Sequence, residues 1–442
     1  MNSEIFDSLK LRGRTYRGET PANRVVRLKK LLGWILTNED NILAALAADF
    51  GKPHFETFLS EIYPVIAELK FFINNLNGFM KDKKVKTPFT LLGHTSRIRY
   101  ENKGVVLIIS PWNYPFQLAV APLIAALASG NTAVMKPSEL TPATAKLLQE
   151  MVESCFAKDE VSVELGDKTK THELLGFQFD HVFFTGSTAV GRIISKACAE
   201  KLIPVTLELG GKSLTIIDET ADLQNAAEKI FWGKFINRGQ SCLAPDYILI
   251  QESVATRFIS IMDALIEKNQ HSEKGRFIDE KYHSRLKSLC NTRVDLHIKP
   301  VEILELNNFD HPAMKEEIFG PVLPIIRFKD FSDLEKLIDP AARPLSLYVF
   351  STDKSRIETI LNRFPSGGVG INSVMLHFGN HHLPFGGIGE SGSGKYHGYH
   401  GFLEMSHSRA VIEQKFLSVT RKLIMPPYTS LHNKLVRLLR YF

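Results

Sequence analysis

Apolar residues recur along this chain with two periods. Toward the N-terminus the spacing is helical. Thr20-Pro21 marks a helix start, a capping hydroxyl followed by proline at the first helical position, and the periodicity runs to about Leu36. A second helix follows Asn38 and stops near Gly51. A third carries Phe58, Ile62, Val65, Ile66, Leu69 and Phe72 on one face. These three read as scaffold, with no chemistry to assign. Beyond them, short unbroken apolar runs take over at residues 104–110, 132–135, 181–185, 247–250 and 346–350. Runs of this kind are parallel strands covered on both faces. Helical stretches alternate with them: 118–129, a helix opened by Thr141-Pro142, one from about Arg192, one from Leu223 to Phe235 capped by Asp222, and one over 255–268. The alternation reads as an α/β fold. Residues 96–101 alternate polar and apolar instead, and 84–102 reads as a hairpin outside the main core, with a subunit contact as the other reading. Residues 269–310 look polar and less regular. A last strand falls near 410–412.

The 442 residues suggest two or three domains. A hydrophobic share of 44% and a charged share of 23% fit a globular chain that needs no staples. The formal charge of +6 is too mild for this length to argue for nucleic acid. Cys155, Cys198, Cys242 and Cys290 are scattered without CxxC spacing, so neither a metal site nor a disulfide framework is expected. A reducing, cytoplasmic setting follows. The N-terminus shows no signal peptide, and no run reaches the length of a membrane span. The tail can gather Leu431, Leu435, Leu438, Leu439 and Phe442 on one helical face, with Lys434, Arg437 and Arg440 around it. A membrane-surface helix is one reading. A segment folded onto its own domain or a neighbour is the other.

Candidate chemistry sits at strand ends and on one loop. Cys242 lies between the 223–235 helix and the 247–250 strand, with Gly239 suited to the left-handed residue that closes the helix. Asn113 follows the 104–110 strand, as a site amide or as a turn residue. Lys136 and Glu139 follow the next strand, and either grip ribose hydroxyls or form an exposed ion pair. Gly186-Ser187 opens a G-x-x-x-x-G turn into a helix, which is a phosphate cradle or a plain tight turn. Glu208 is an acid inside an apolar strand, a placement that calls for a partner or a function.

Seven blocks read together identify a resemblance. PWNYPF (111–116), KPSE (136–139), FFTGSTAVG (183–191), LELGGKS (207–213), GQSC (239–242), EEIFGPV (316–322) and LPFGGIGESGSGKYHG (383–398) occur in this order. The chain resembles the NAD(P)-dependent aldehyde dehydrogenase superfamily, within it the class 3 (fatty and aromatic aldehyde) branch, from about Gly13 to His407. The resemblance implies two parallel-sheet, Rossmann-type domains and a small bridging sheet. It places a cofactor domain at 1–83 and 103–206, a catalytic domain at 207–400, a bridging sheet at 84–102 and 401–416, and a tail at 417–442. It implies Cys242 as nucleophile, Glu208 as general base and Asn113 as oxyanion donor beside the Cys242 amide. Lys136 and Glu139 would hold the adenosine ribose, Gly186 and Ser187 the pyrophosphate, and Glu317 and Phe319 the nicotinamide ribose and ring, with Trp112 beside the cofactor. No metal is implied. NAD is the expected cofactor, because Glu139 would repel a 2′-phosphate, while the branch often accepts NADP as well.

The reaction implied is oxidation of an aldehyde to a carboxylic acid. It passes through a thiohemiacetal and a thioester on Cys242, hydrolysed by Glu208-activated water. Tyr114, Met375, His377 and Phe378 would line an apolar tunnel for aromatic or medium-to-long aliphatic aldehydes. Expected partners are the aldehyde, a second copy of the chain as a homodimer, and through the tail a membrane surface. The alternatives are a non-catalytic binding protein of the same fold, which loss of Cys242, Glu208 or Asn113 would favour, and a reductase that passes the thioester to another thiol. Two departures stand out: 269–310 is short for the family, and the tail lacks the long apolar anchor of the membrane-bound branch members.

Overall fold

A computed structural model describes residues 1–415, 426–430 and 432–434. Leu431, Leu435, Leu438, Leu439 and Phe442, the apolar face expected for the tail, all lie outside these residues. Fifteen strands, taken in order, are β1 (Lys83–Val85), β2 (His94–Asn102), β3 (Val105–Ile109), β4 (Thr132–Lys136), β5 (Val161–Val163), β6 (His181–Thr185), β7 (Val205–Glu208) and β8 (Leu214–Ile217). There follow β9 (Tyr247–Gln251), β10 (Glu302–Leu306), β11 (Val322–Phe328), β12 (Ser346–Phe350), β13 (Gly368–Ile371), β14 (Gly392–Ser393) and β15 (Ser406–Gln414). They build three sheets, ordered β14-β7-β6-β3-β4-β5, β10-β11-β9-β8-β12-β13 and β1-β2-β15. The second is parallel throughout, and the first is parallel except for the short β14. The third is antiparallel. This is the α/β architecture of two Rossmann-type sheets with a small additional sheet that the resemblance implied.

Each parallel sheet is covered on both faces, which is why its strands read as unbroken apolar runs. In the first, Val106 and Ile108 meet the apolar stripes of helices Pro21–Thr37, Tyr63–Phe79 and Gln117–Ala128. Val105, Leu107 and Ile109 face the N-terminal helix Ser3–Thr15 and helix Thr188–Ala199. The second sheet likewise divides its side chains between two apolar layers.

Several elements differ from expectation. Helix Ser3–Thr15, capped by Asn2, was not foreseen, nor were β5, β8 and helix Lys168–Leu175. The helix expected from about Arg192 begins at Thr188, because the Ser187 hydroxyl caps it through the Val190 amide. The 269–310 region is more regular than its polarity suggested. It contains helix Glu280–Cys290, capped by Asp279, and β10 on the edge of the second sheet. Among the described residues, no helix is long and apolar enough to cross a membrane.

Candidate active site

The site forms where the two parallel sheets meet. Helix Leu223–Phe235 carries the chain to a turn in which Asn237, Arg238 and Gly239 all take left-handed conformations (φ 48°, 58° and 68°). Gly239 had been expected to do this alone. Glycine is required at its position for a second reason: a Cβ there would lie 2.5 Å from the Gly320 carbonyl oxygen. The two non-glycine residues are held by what they bind. Asn237 Nδ2 donates to the carbonyls of Asn113 (2.8 Å) and Gln240 (3.1 Å), and its amide donates to Glu56 Oε1 (2.8 Å). The Arg238 guanidinium lies 4.8 Å from the centre of the Phe277 ring. The loop that follows is pinned by Ser213 Oγ donating to the Cys242 carbonyl (3.1 Å) and the Tyr348 hydroxyl donating to the Leu243 carbonyl (2.7 Å).

Cys242 and Glu208 both face one cavity of about 390 Å³. Burial pushes the Cys242 thiol well up, and the carboxylates of Glu317 and Glu208 add to it. Glu208 ends β7, 3% exposed, and neither carboxylate oxygen has a hydrogen-bond partner. Burial pushes its carboxyl well above the ordinary range; nearby Lys395 opposes the shift and Glu404 adds to it. The glycine-rich stretch closes over this acid. A Cβ at Gly386 would come within 2.8 Å of Glu208 Oε1, and β14 pairs Gly392 with Glu208. The result is a buried, unpaired acid with room for a small partner.

Asn113, just past β3, is buried and donates one Nδ2 hydrogen to the Gln240 carbonyl (3.1 Å), two residues before Cys242. Its backbone is anchored by a residue that sequence reading passed over. Lys52 Nζ donates to the Asn113 carbonyl (3.1 Å) and to Glu61 Oε1 (2.8 Å), with both side chains fully buried. Glu61 Oε2 in turn accepts the amides of Phe116 (3.2 Å) and Gln117 (3.0 Å). The helices read as bare scaffold therefore brace this site, and Leu59, Tyr63 and Ala67 line the cavity. Tyr114, Met375 and Phe378 line it as expected. His377 does not: it faces Ser346 Oγ (3.2 Å) and stacks on Phe385.

Trp112, Lys136, Glu139, Gly186 and Ser187 follow the carboxyl ends of β3, β4 and β6, which run side by side in parallel, while Glu317 and Phe319 come from the loop before β11 of the second sheet. This edge is where open α/β sheets bind dinucleotides. Lys136 is buried and ion-paired to the half-exposed Glu139 (2.8 Å), so the ion pair exists whether or not the residues also grip a ribose. Gly186 admits no side chain, since a Cβ would lie 2.5 Å from the Phe184 ring, and the 12-residue helix after Ser187 directs its amino-terminal amides and dipole outward. Trp112 packs against Phe50, Tyr282 and Phe319. Glu317 Oε2 occupies the space a Cβ at Gly210 would need, 2.0 Å away. Burial, with Asp246 nearby, pushes the Glu317 carboxyl up to about 8, while the Gly211 amide opposes the shift. A helix amino-terminus and a Lys–Glu pair on one sheet edge, with the Trp112–Phe319 ring pair reaching to the loop before β11, fit a dinucleotide.

Residues 10–411 match the model of the aldehyde dehydrogenase family. The 4,4′-diaponeurosporen-aldehyde dehydrogenase of Staphylococcus aureus is 40% identical over 423 residues, 92% of each chain. Aldehyde dehydrogenase family 3 member A2 of Mus musculus is 38% identical over 402 residues, covering 87% of this chain and 83% of its own. The substrate-bound structure of Staphylococcus aureus AldH superposes with a TM-score of 0.93 at 37% identity, covering 99% of this chain and all of that one.

Proposed function

The chain belongs to the aldehyde dehydrogenase family, and from that premise we propose that it oxidises aromatic or medium-to-long-chain aliphatic aldehydes to carboxylic acids, with Cys242 as nucleophile and Glu208 as base. The observation that carries this reading is the shared cavity. Cys242 and the unpaired acid Glu208 face it together, and its walls are mostly apolar. A long aliphatic or aromatic group would bury surface there at about 25 cal/mol per Å².

NAD, with NADP as a possible substitute, would be held by Lys136, Glu139, Gly186, Ser187, Trp112, Glu317 and Phe319, and when bound supplies the hydride acceptor. The chain's own residues do the rest. The Cys242 sulfur attacks the aldehyde carbon once its proton has left. Asn113 Nδ2 and the Cys242 amide stabilise the oxyanion, each donor of this type being worth about 3 kcal/mol. Glu208 takes a proton from the water that hydrolyses the thioester, a role worth roughly 10²–10⁴ in rate. Burial raises its proton affinity above that of an ordinary carboxylate.

We also propose the division given above: a cofactor domain at 1–83 and 103–206, a catalytic domain at 207–400, a bridging sheet at 84–102 and 401–416, and a homodimer working in the cytoplasm. The four free cysteines suit that compartment. The experiment is NADH formation across aldehydes from two to sixteen carbons, with benzaldehyde. A rise in kcat/KM with chain length supports an apolar tunnel. Flat or falling values overturn the substrate class, and no turnover with any aldehyde overturns the catalytic roles.

A further inference from the structure

Away from the cavity, one cluster of metal-ligating side chains has no part in the chemistry above. Glu280 and His283 stand one turn apart on helix Glu280–Cys290, and His297 reaches back from the segment that follows. Their polar atoms converge. His283 Nδ1 lies 3.0 Å from His297 Nε2, and Glu280 sets Oε2 3.5 Å from the first ring nitrogen and Oε1 3.5 Å from the second. Ligands held about 2.0–2.2 Å from a tetrahedral centre stand about 3.3 Å from one another. The observed separations are of that size.

The cluster is also built. His283 is 8% exposed and stacks on the Phe277 ring at 5.2 Å, while His297 meets the same ring edge-on at 5.4 Å. Both imidazoles therefore have fixed planes. Glu280 lies at the surface, so an ion has a path in and an open position toward water. Cysteine spacing gave no reason to expect this, because the ligands are two histidines and an acid brought together by a helix and the loop after it.

We propose that Glu280, His283 and His297 bind one divalent cation of the zinc class, clipping the start of helix Glu280–Cys290 to the segment around His297. The clip sits on a helix with a second duty. Tyr282 Oη donates to the Phe319 carbonyl (2.9 Å), and Arg285 donates to the carbonyls of Ile318 (3.2 Å) and Glu317 (2.9 Å). An ion there restrains the element that braces the 317–319 loop.

The test uses the full-length protein without an affinity tag, carrying Cys242→Ala so that the nucleophilic thiol binds no zinc. After chelator treatment it is dialysed to equilibrium against ZnCl2, and bound zinc and the melting temperature are read together. One equivalent bound, with a rise in Tm, is expected, since a ligand that binds only the folded state stabilises it. His297→Ala and Glu280→Gln, which change exposed positions, are each expected to lose that equivalent and the Tm rise while keeping the metal-free Tm. The other described cluster of this kind is Glu68, His381 and His397, whose two histidines line the cavity, so His381→Ala is the control and is expected to keep the equivalent. No uptake by the parent, uptake unchanged in both cluster variants, or uptake lost only in His381→Ala would overturn the proposal.

Discussion

At Cys242 and Glu208 burial raises the proton affinity of both groups. The two carboxylates near the Cys242 thiol disfavour its anion further. Alkylation of Cys242 by iodoacetamide in cofactor-free protein should accordingly keep accelerating with pH beyond the ordinary thiol range near about 8.5. Peptide mapping of the rate checks it, and a plateau near that value would count against the buried thiol. Glu208 gives a stability prediction whose sign follows from linkage. Its folded-state proton affinity is raised, so between the ordinary carboxyl range and its folded value the native state binds more protons than the unfolded state. Stability then falls as pH rises through that window. Glu208→Gln removes the titration and keeps the shape, so its Tm advantage over the parent should grow from pH 5 to pH 8. Melting curves at both pH values decide it, and an equal difference at the two would mean that the acid is not strained by burial.

At the scale of elements, the turn at 237–239 and the Lys52–Glu61 pair hold the site in place. Gly239→Ala meets both an unfavourable φ and the Gly320 carbonyl, and should cost about 2 kcal/mol or more, read by denaturant unfolding. Lys52→Ala leaves Glu61 buried without its cation and removes one of the two donors to the Asn113 carbonyl, Asn237 Nδ2 being the other. Breaking a buried pair in this way costs about 3–5 kcal/mol, and turnover should fall together with stability. Sequence reading reached Gly239 because glycine signals its conformation locally. It missed Asn237 and Arg238, whose left-handed φ is maintained by Asn113, Glu56 and Phe277, all distant in the chain. Lys52 was illegible for the same reason: only the fold reveals that an ordinary-looking lysine is fully buried against a glutamate. Strand β8, only four residues long and just past Gly210-Gly211, offered too short a pattern. Helix Glu280–Cys290 hid because two of its three buried positions are His283 and Cys290, which do not register as an apolar stripe. The strongly apolar strands β3, β6, β9 and β12 were plain, since burial on both faces leaves their centres continuously apolar, with polar residues only at the ends.

Over the whole molecule, neither parallel sheet carries the site alone. Asn113 and Glu208 extend from strands of the first sheet, while Cys242 lies on the loop leading into β9 of the second. Their meeting depends on the two sheets keeping their relative position, and the glycine-rich return of the chain into β14 ties the end of the catalytic half back onto β7. Among the described residues the third sheet ends on β15 as an edge strand. Light scattering should give twice the 49.8 kDa chain mass, and a monomeric mass would remove the proposed homodimer. The composite site is tested most directly by intact mass spectrometry of Glu208→Gln mixed with NAD and an aldehyde substrate. The predicted result is a mass gain equal to the acyl group, mapped to Cys242, with hydrolysis slowed roughly 10²–10⁴-fold. Fast hydrolysis with no adduct, or an adduct on another residue, would contradict the pairing of Cys242 with Glu208.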